Sequence, residues 1–153
     1  MRQKLVAGNW KMHGSRASVE ALLGGVKAGL AGDPGADVAV CPTYVHLAQA
    51  LELCAGSPIG VGAQDCSHMQ SGAYTGEVSA EMLVDQGCQW VILGHSERRQ
   101  YHAESDDMVS AKLAAAVAAG LKPIVCVGET REQREAGQAQ DVVGGQLAGA
   151  LDG

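Results

Sequence analysis

His95, Ser96, Glu97, Arg98 and Arg99 follow directly on the apolar run Trp90-Val91-Ile92-Leu93-Gly94. A short apolar run with β-branched and aromatic members reads as a buried strand. Titratable side chains at the C-terminal end of such a strand stand where parallel α/β proteins bind their ligands. Asn9 and Lys11 close the run Lys4 to Trp10 in the same way, and Thr43, Gln64 and Glu129 to Arg131 follow three further runs. Lys11 can supply fixed positive charge. Asn9 and His95 can hydrogen-bond a developing oxyanion, and Glu97 can act as a proton-transfer or supporting carboxylate. The chemistry these types suit is general acid–base work on a small anion. A structural alternative stands beside it. GHSERR can simply open the next helix, Lys11 can be a surface lysine, Asn9 a cap and Glu97 an ion-pair partner. Glu129 reads as a cap for the helix after it. His13, His46, His68 and His102 lack a patterned partner and read as structural or solvated.

Competing motifs fail on the same residues. Gly94-His95-Ser96-Glu97-Arg98 matches a nucleophile elbow only in Gly-x-Ser, because Arg98 stands where the second glycine belongs. No Walker lysine loop, GxGxxG or HExxH occurs.

The elements that must position these side chains alternate. Strands are expected at Lys4–Trp10, Val38–Cys41, Ile59–Ala63, Trp90–Gly94 and Lys122–Gly128. The first helix opens at Ser15 or Ser18 and places Val19, Leu22, Leu23, Val26 and Leu30 on one face. Ser79 and Ser105 are hydroxyl N-caps; Gly87 and Gly120 end the helices they open. The second of these helices should turn Val109, Leu113, Ala116 and Val117 inward. Gly60 and Gly62 mark a close approach of backbone or ligand. The stretch from Gln64 to Glu77 has no periodicity and is too long for a plain connector. Five βα units at intervals of roughly 25–35 residues predict right-handed crossovers and a parallel sheet.

Composition narrows the class. The 153 residues form one expected domain, 46% apolar and 18% charged, with a net charge of −6. No basic patch interleaved with aromatics points to nucleic acid. No apolar run approaches the roughly 20 residues that span a bilayer, and the first ten residues lack a secretory signal pattern. Five cysteines, odd in number and never in CxxC, favour reduced thiols in the cytoplasm over a disulfide frame or a metal site.

GNWKMHGS at Gly8–Ser15, AQDCSHMQSGAYTGEVS at Ala63–Ser79, ILGHSERRQYHAESD at Ile92–Asp106, and PIVCVGET with REAG at Pro123–Gly137 resemble the triosephosphate isomerase family, in order and over essentially the whole chain. The resemblance implies a (β/α)8 TIM barrel acting in glycolysis and gluconeogenesis, without cofactor or metal, on dihydroxyacetone phosphate and glyceraldehyde 3-phosphate. It implies that Asn9 and Lys11 bind substrate, Lys11 as an electrostatic clamp. His95 is implied to polarise the carbonyl as a neutral imidazole, a known feature of this family. Glu97 matches a carboxylate near the lysine, Ser96 a residue supporting the site, and Cys126 one buried beneath it. The loop at Gln64–Glu77 resembles a segment that reaches into a second copy in a homodimer. Thr75 would then lie near the partner's cleft, and Arg98 would pair with Glu77 across the interface and with Glu104 within the chain.

One departure qualifies this. Such barrels run to about 250 residues and eight units, and five are found here, so a truncated barrel is expected over residues 1–153. The family's glutamate base, lid and phosphate loops belong to later units, and neither Glu97 nor Glu129 matches that base. The chain by itself is therefore expected to be nearly inactive, with open sheet edges that invite association. A non-catalytic assembly or folding fragment, and a small-anion binding module on a flavodoxin-like, doubly wound five-stranded sheet, are the alternatives.

Overall fold

Five short parallel strands pair in the order in which the chain makes them. The computed structural model describes residues 3–30, 32 and 34–151. The strands are β1 (Leu5–Asn9), β2 (Asp37–Cys41), β3 (Ile59–Ala63), β4 (Trp90–Leu93) and β5 (Lys122–Val125), in sheet order β1-β2-β3-β4-β5. The helices are α1 (Arg16–Gly29), α2 (Leu47–Cys54, after a 3-10 turn at Tyr44–His46), α3 (Ala80–Gln86), α4 (Ser96–Tyr101), α5 (Asp106–Ala119), α6 (Arg131–Glu135) and α7 (Ala139–Leu151). They pack on one another in sequence, α1 on α2, α2 on α3, α3 on α5 and α5 on α7. A doubly wound sheet needs a reversal of strand order and a helix layer on each face. The order here never reverses, so the flavodoxin-like alternative fails. The chain is a curled part of a TIM barrel.

The edge strand β1 is open on both faces. Leu5 is 38% exposed and its neighbour Val6 61%, and successive strand residues point to opposite faces. The core lies between the sheet and its helices, where Val19, Leu23, Leu47, Val61, Leu83, Val91, Leu93 and Val109 form one buried cluster. No helix among the described residues is long and apolar enough to cross a membrane.

Capping follows the sequence closely. Ser15 and Ser18 share the start of α1 as a reciprocal box, Ser79 and Ser105 accept from Met82 and Met108 N–H, and Gly87 and Gly120 are left-handed. At the fifth unit the reading shifts. β5 ends at Val125, three residues early, and Thr130 caps α6 in a box with Gln133. Glu129 is not the cap, because its carboxylate pairs with Arg134 at 2.6 Å. On α5, Val117 is exposed and Lys112 is buried in its stead, at 4% exposure. Leu22 on α1 is likewise half-exposed.

The close approach at β3 serves Trp90 rather than a ligand. Gly62 pairs with Trp90 across the ladder, and a Cβ there would stand 2.7 Å from Trp90 Cβ and 2.8 Å from its carbonyl oxygen. Backbone cannot swing aside as a flexible side-chain tip can. Gly62→Ala should therefore destabilise the fold by about 1–3 kcal/mol through overpacking, read by urea unfolding.

Candidate active site

The C-terminal ends of β1, β3 and β4 open on a cleft of about 480 Å³. Asn9, Lys11, Gln64, His95, Glu97 and Arg98 line it, with Met12, His13, Tyr101 and His102 on its outer wall. His13 and His102, read from the sequence as structural or solvated, thus belong to the wall. Their cue is weak, since neither stands directly at a strand end.

Lys11 sits in the left-handed region, at φ 51°. A non-glycine residue there costs on the order of 1 kcal/mol and needs neighbours that hold it. Asn9 Oδ1 accepts the Lys11 backbone N–H at 2.9 Å, and Gln64 Nε2 donates to the Lys11 carbonyl at 2.8 Å and to the Cys41 carbonyl at 2.8 Å. This geometry sends the Lys11 ammonium to Glu97 Oε1 at 2.6 Å. Gln64 stood in the sequence only as one more strand-end residue, and its bonding makes it the brace of Lys11.

His95 caps α4, and its Nδ1 accepts the Glu97 backbone N–H at 3.2 Å. The Glu97 carboxylate lies farther from that nitrogen, at 3.4 Å, and is engaged by Lys11. An Nδ1 that accepts a backbone proton carries none of its own, which puts the ring proton on Nε2. Nε2 has no protein partner among the described residues and can donate to a ligand.

The hydrogen bond from Lys11 is the main cause holding the Glu97 carboxyl below the usual carboxylate range, opposed by a smaller desolvation effect. A lowered folded value means the charged pair persists as pH falls through ordinary glutamate titration, and is lost only below it. Lys11→Met should move the Glu97 carboxyl up towards the ordinary carboxylate range, as followed by carboxyl-carbon NMR. An unmoved titration would contradict the pairing.

Behind the cleft lie three buried charges, Asp65, Glu104 and Lys112, joined by the half-buried Arg98. Arg98 Nε donates to Glu104 Oε1 at 2.6 Å, and Nη2 reaches Asp65 Oδ2 at 3.0 Å. Lys112 Nζ contacts both Asp65 oxygens at 2.9 Å and Glu104 Oε1 at 2.5 Å. Burial pushes the Asp65 carboxyl up despite Lys112. For Glu104, burial pushes the same way and is outweighed by hydrogen bonds from Lys112 and Arg98, so its carboxyl stays low. The Arg98–Glu104 pair is as the resemblance implied. Asp65 and Lys112 were missed.

The other residues implied by the resemblance lie apart from the cleft. Ser96 opens α4 and faces a neighbouring hollow with Gly128 and Glu129. Cys126 follows the outer strand β5, and so is half-buried rather than buried. Thr75 and Glu77 lie on the exposed tip of the loop after β3, while its base at Asp65–Ser67 is buried.

A family model described as triosephosphate isomerase matches residues 4–153. The chain belongs to the triosephosphate isomerase family. A triosephosphate isomerase of Herminiimonas arsenicoxydans is 56% identical over 151 residues, which are 99% of this chain and 60% of that protein. One from Cupriavidus necator is 55% identical over 152 residues, covering 99% and 61%. The crystal structure of triosephosphate isomerase from Bartonella henselae superposes with a TM-score of 0.91 at 39% identity, over 98% of this chain and 62% of that one. The chain therefore spans about 60% of the length of the curated relatives it matches. Membership of the triosephosphate isomerase family gives the strand-end cleft a natural orientation, since a TIM barrel carries its chemistry at that end.

Proposed function

We propose that residues 1–153, a single domain of partial-barrel form, carry the electrophilic half of a triosephosphate isomerase site. The observation that carries this is Lys11, Glu97 and His95 locked to one another at the mouth of one cleft, with Nε2 of His95 left free to donate. Lys11 attracts the phosphorylated triose, and Asn9 fixes the backbone turn that aims it. As a proton leaves the carbon beside the carbonyl, negative charge grows on the carbonyl oxygen, and the His95 Nε2–H meets it there. Returning the proton to the adjacent carbon completes the shift between dihydroxyacetone phosphate and glyceraldehyde 3-phosphate. No redox partner or metal is needed for that balance. Glu97 is held by Lys11 and Glu129 by Arg134, so neither is the base. On this reading the base comes from the part of the relatives' length that these residues do not span.

Two assays test this. Residues 1–153 alone should isomerise dihydroxyacetone phosphate at less than about a thousandth of a complete enzyme's rate, having lost base and phosphate cradle. Joined covalently to the remaining units of the Herminiimonas arsenicoxydans relative, they should recover to within about tenfold, a loss of about 1.4 kcal/mol in transition-state stabilisation. Full activity in the short chain, or none in the folded chimera, overturns the division of labour.

The loop tip at Thr75 and Glu77 suits a homodimer, in which it enters the partner's cleft beside Lys11 and His95. Supporting this are the exposed tip, the exposed Met12 at the receiving wall, and a half-exposed Arg98 guanidinium that already gathers two carboxylates, Glu104 and Asp65. Sedimentation of the chimera should give a dimer that Thr75→Arg dissociates. The free thiols fit a cytoplasmic enzyme of glycolysis and gluconeogenesis.

A further inference from the structure

Arg99 takes no part in the cleft, yet it is tied to the peptide that carries His95. Gly94, just before His95, is left-handed at φ 65°, and a Cβ there would come within 2.9 Å of Val109 and 3.1 Å of Arg99 Nη2. That turn presents the Gly94 carbonyl to Arg99 Nε, which donates to it at 2.9 Å. Arg99 Nη1 donates to Asp106 Oδ1 at 2.5 Å. Asp106, the first residue of α5, is backed in turn by Gly149 of α7, where a Cβ would stand 2.8 Å from Asp106 Cβ. A continuous stack thus runs from the outer helix, through Asp106 and Arg99, to the oxygen of the Gly94–His95 peptide plane.

We infer that Arg99, braced by Asp106 and Gly149, is a positioning residue that sets the orientation and proton tautomer of the His95 imidazole. The mechanism is geometric. Holding the Gly94 oxygen holds the peptide plane on the N-terminal side of His95. On the other side, the His95 carbonyl accepts from Arg98 and Arg99 N–H at 2.8 and 3.1 Å. With both sides fixed, the first turn of α4 delivers the Glu97 N–H to His95 Nδ1, and the proton stays on Nε2. A lysine could replace the ion pair but not the fork that also reaches the carbonyl. The third arm, Nη2, is buried without an acceptor, a cost that an ion pair at the surface would avoid. The catalytic meaning of this rests on the isomerase reading, whereas the ring orientation does not.

The test is long-range proton–nitrogen NMR of the 153-residue chain labelled in histidine. The unaltered chain should show His95 as a single Nε2–H tautomer. In Arg99→Met and in Arg99→Lys, His95 should move to averaged shifts of two tautomers while the other four histidines keep theirs. Gly149→Ala, which displaces Asp106 without touching Arg99, should shift His95 in the same direction and covers the case of an unfolded Arg99→Met. In the chimera, Arg99→Lys should lower kcat about 10- to 100-fold, the scale of a small misplacement, with KM within about twofold. An unchanged His95 tautomer in a folded Arg99→Met or Gly149→Ala chain overturns the inference. If the unaltered chimera is inactive, the isomerase reading falls, and the tautomer shift still decides the role of Arg99.

Discussion

Lys112→Met should cost the fold about 3–5 kcal/mol, the penalty for removing one partner of a buried ion pair. Lys112 bridges both Asp65 oxygens, with Arg98 also on Oδ2, and it shares Glu104 Oε1 with Arg98. Methionine fills the space but leaves two carboxylates facing one guanidinium out of water. The Asp65 carboxyl should then rise further above its unfolded value, because burial already pushes it up with the lysine in place, and the Glu104 carboxyl should move up as it loses one of its two cations. The sign follows from linkage: a carboxyl raised by folding is disfavoured when ionised, so the penalty is full above its folded value and fades as pH falls through it. Urea titrations of both chains should show the difference shrinking from neutral pH towards the carboxylate range. A difference below 1 kcal/mol, or one independent of pH, would show that the cluster is effectively solvated.

The second large effect is expected at His95. In the covalent chimera, His95→Gln should lower kcat about 10²- to 10³-fold, the loss typical of one oxyanion donor. Glutamine offers an amide N–H of similar reach, but not a ring held by the Glu97 backbone N–H, so alignment is lost along with the donor's identity. On the proposed isomerase reading KM should change little, because the charge assigned to His95 exists mainly in the transition state. Under the same reading Lys11→Met should give the opposite split, raising KM by removing the fixed charge proposed to draw a phosphorylated substrate. Steady-state kinetics of the two variants separate the roles; identical splits would merge them.

The strands and caps were legible because their signals are local. Ser79, Ser105, Gly87 and Gly120 do what isolated residues of their types do, and the apolar runs at β3 and β4 needed no distant partner. The misses are residues whose placement depends on contacts far away in sequence. Lys112 reads as an exposed helix residue until Asp65 meets it from the other side of the sheet-end loop. Gln64 reads as a generic polar residue until its amide braces a strained Lys11. Glu129 was assigned a capping role that Thr130, one position later, takes with better geometry. The candidate site was legible to the extent that strand ends marked it. Its second layer, Asp65, Glu104, Lys112 and Arg99, needed coordinates.

The neighbour-by-neighbour strand order also bears on how the chain acquires its shape. Leu5 aligns with Asp37, Val38 with Ile59, Gly62 with Trp90 and Trp90 with Lys122. Each pairing becomes available as soon as the next strand leaves the ribosome, and none waits for a distant segment. Translation at about 5–20 residues per second is far slower than closure of such short loops, so assembly keeps pace with synthesis. Throughout that growth β1 holds one side of its backbone unpaired, in the manner of a zip fastener whose first tooth is also the one that must meet the last.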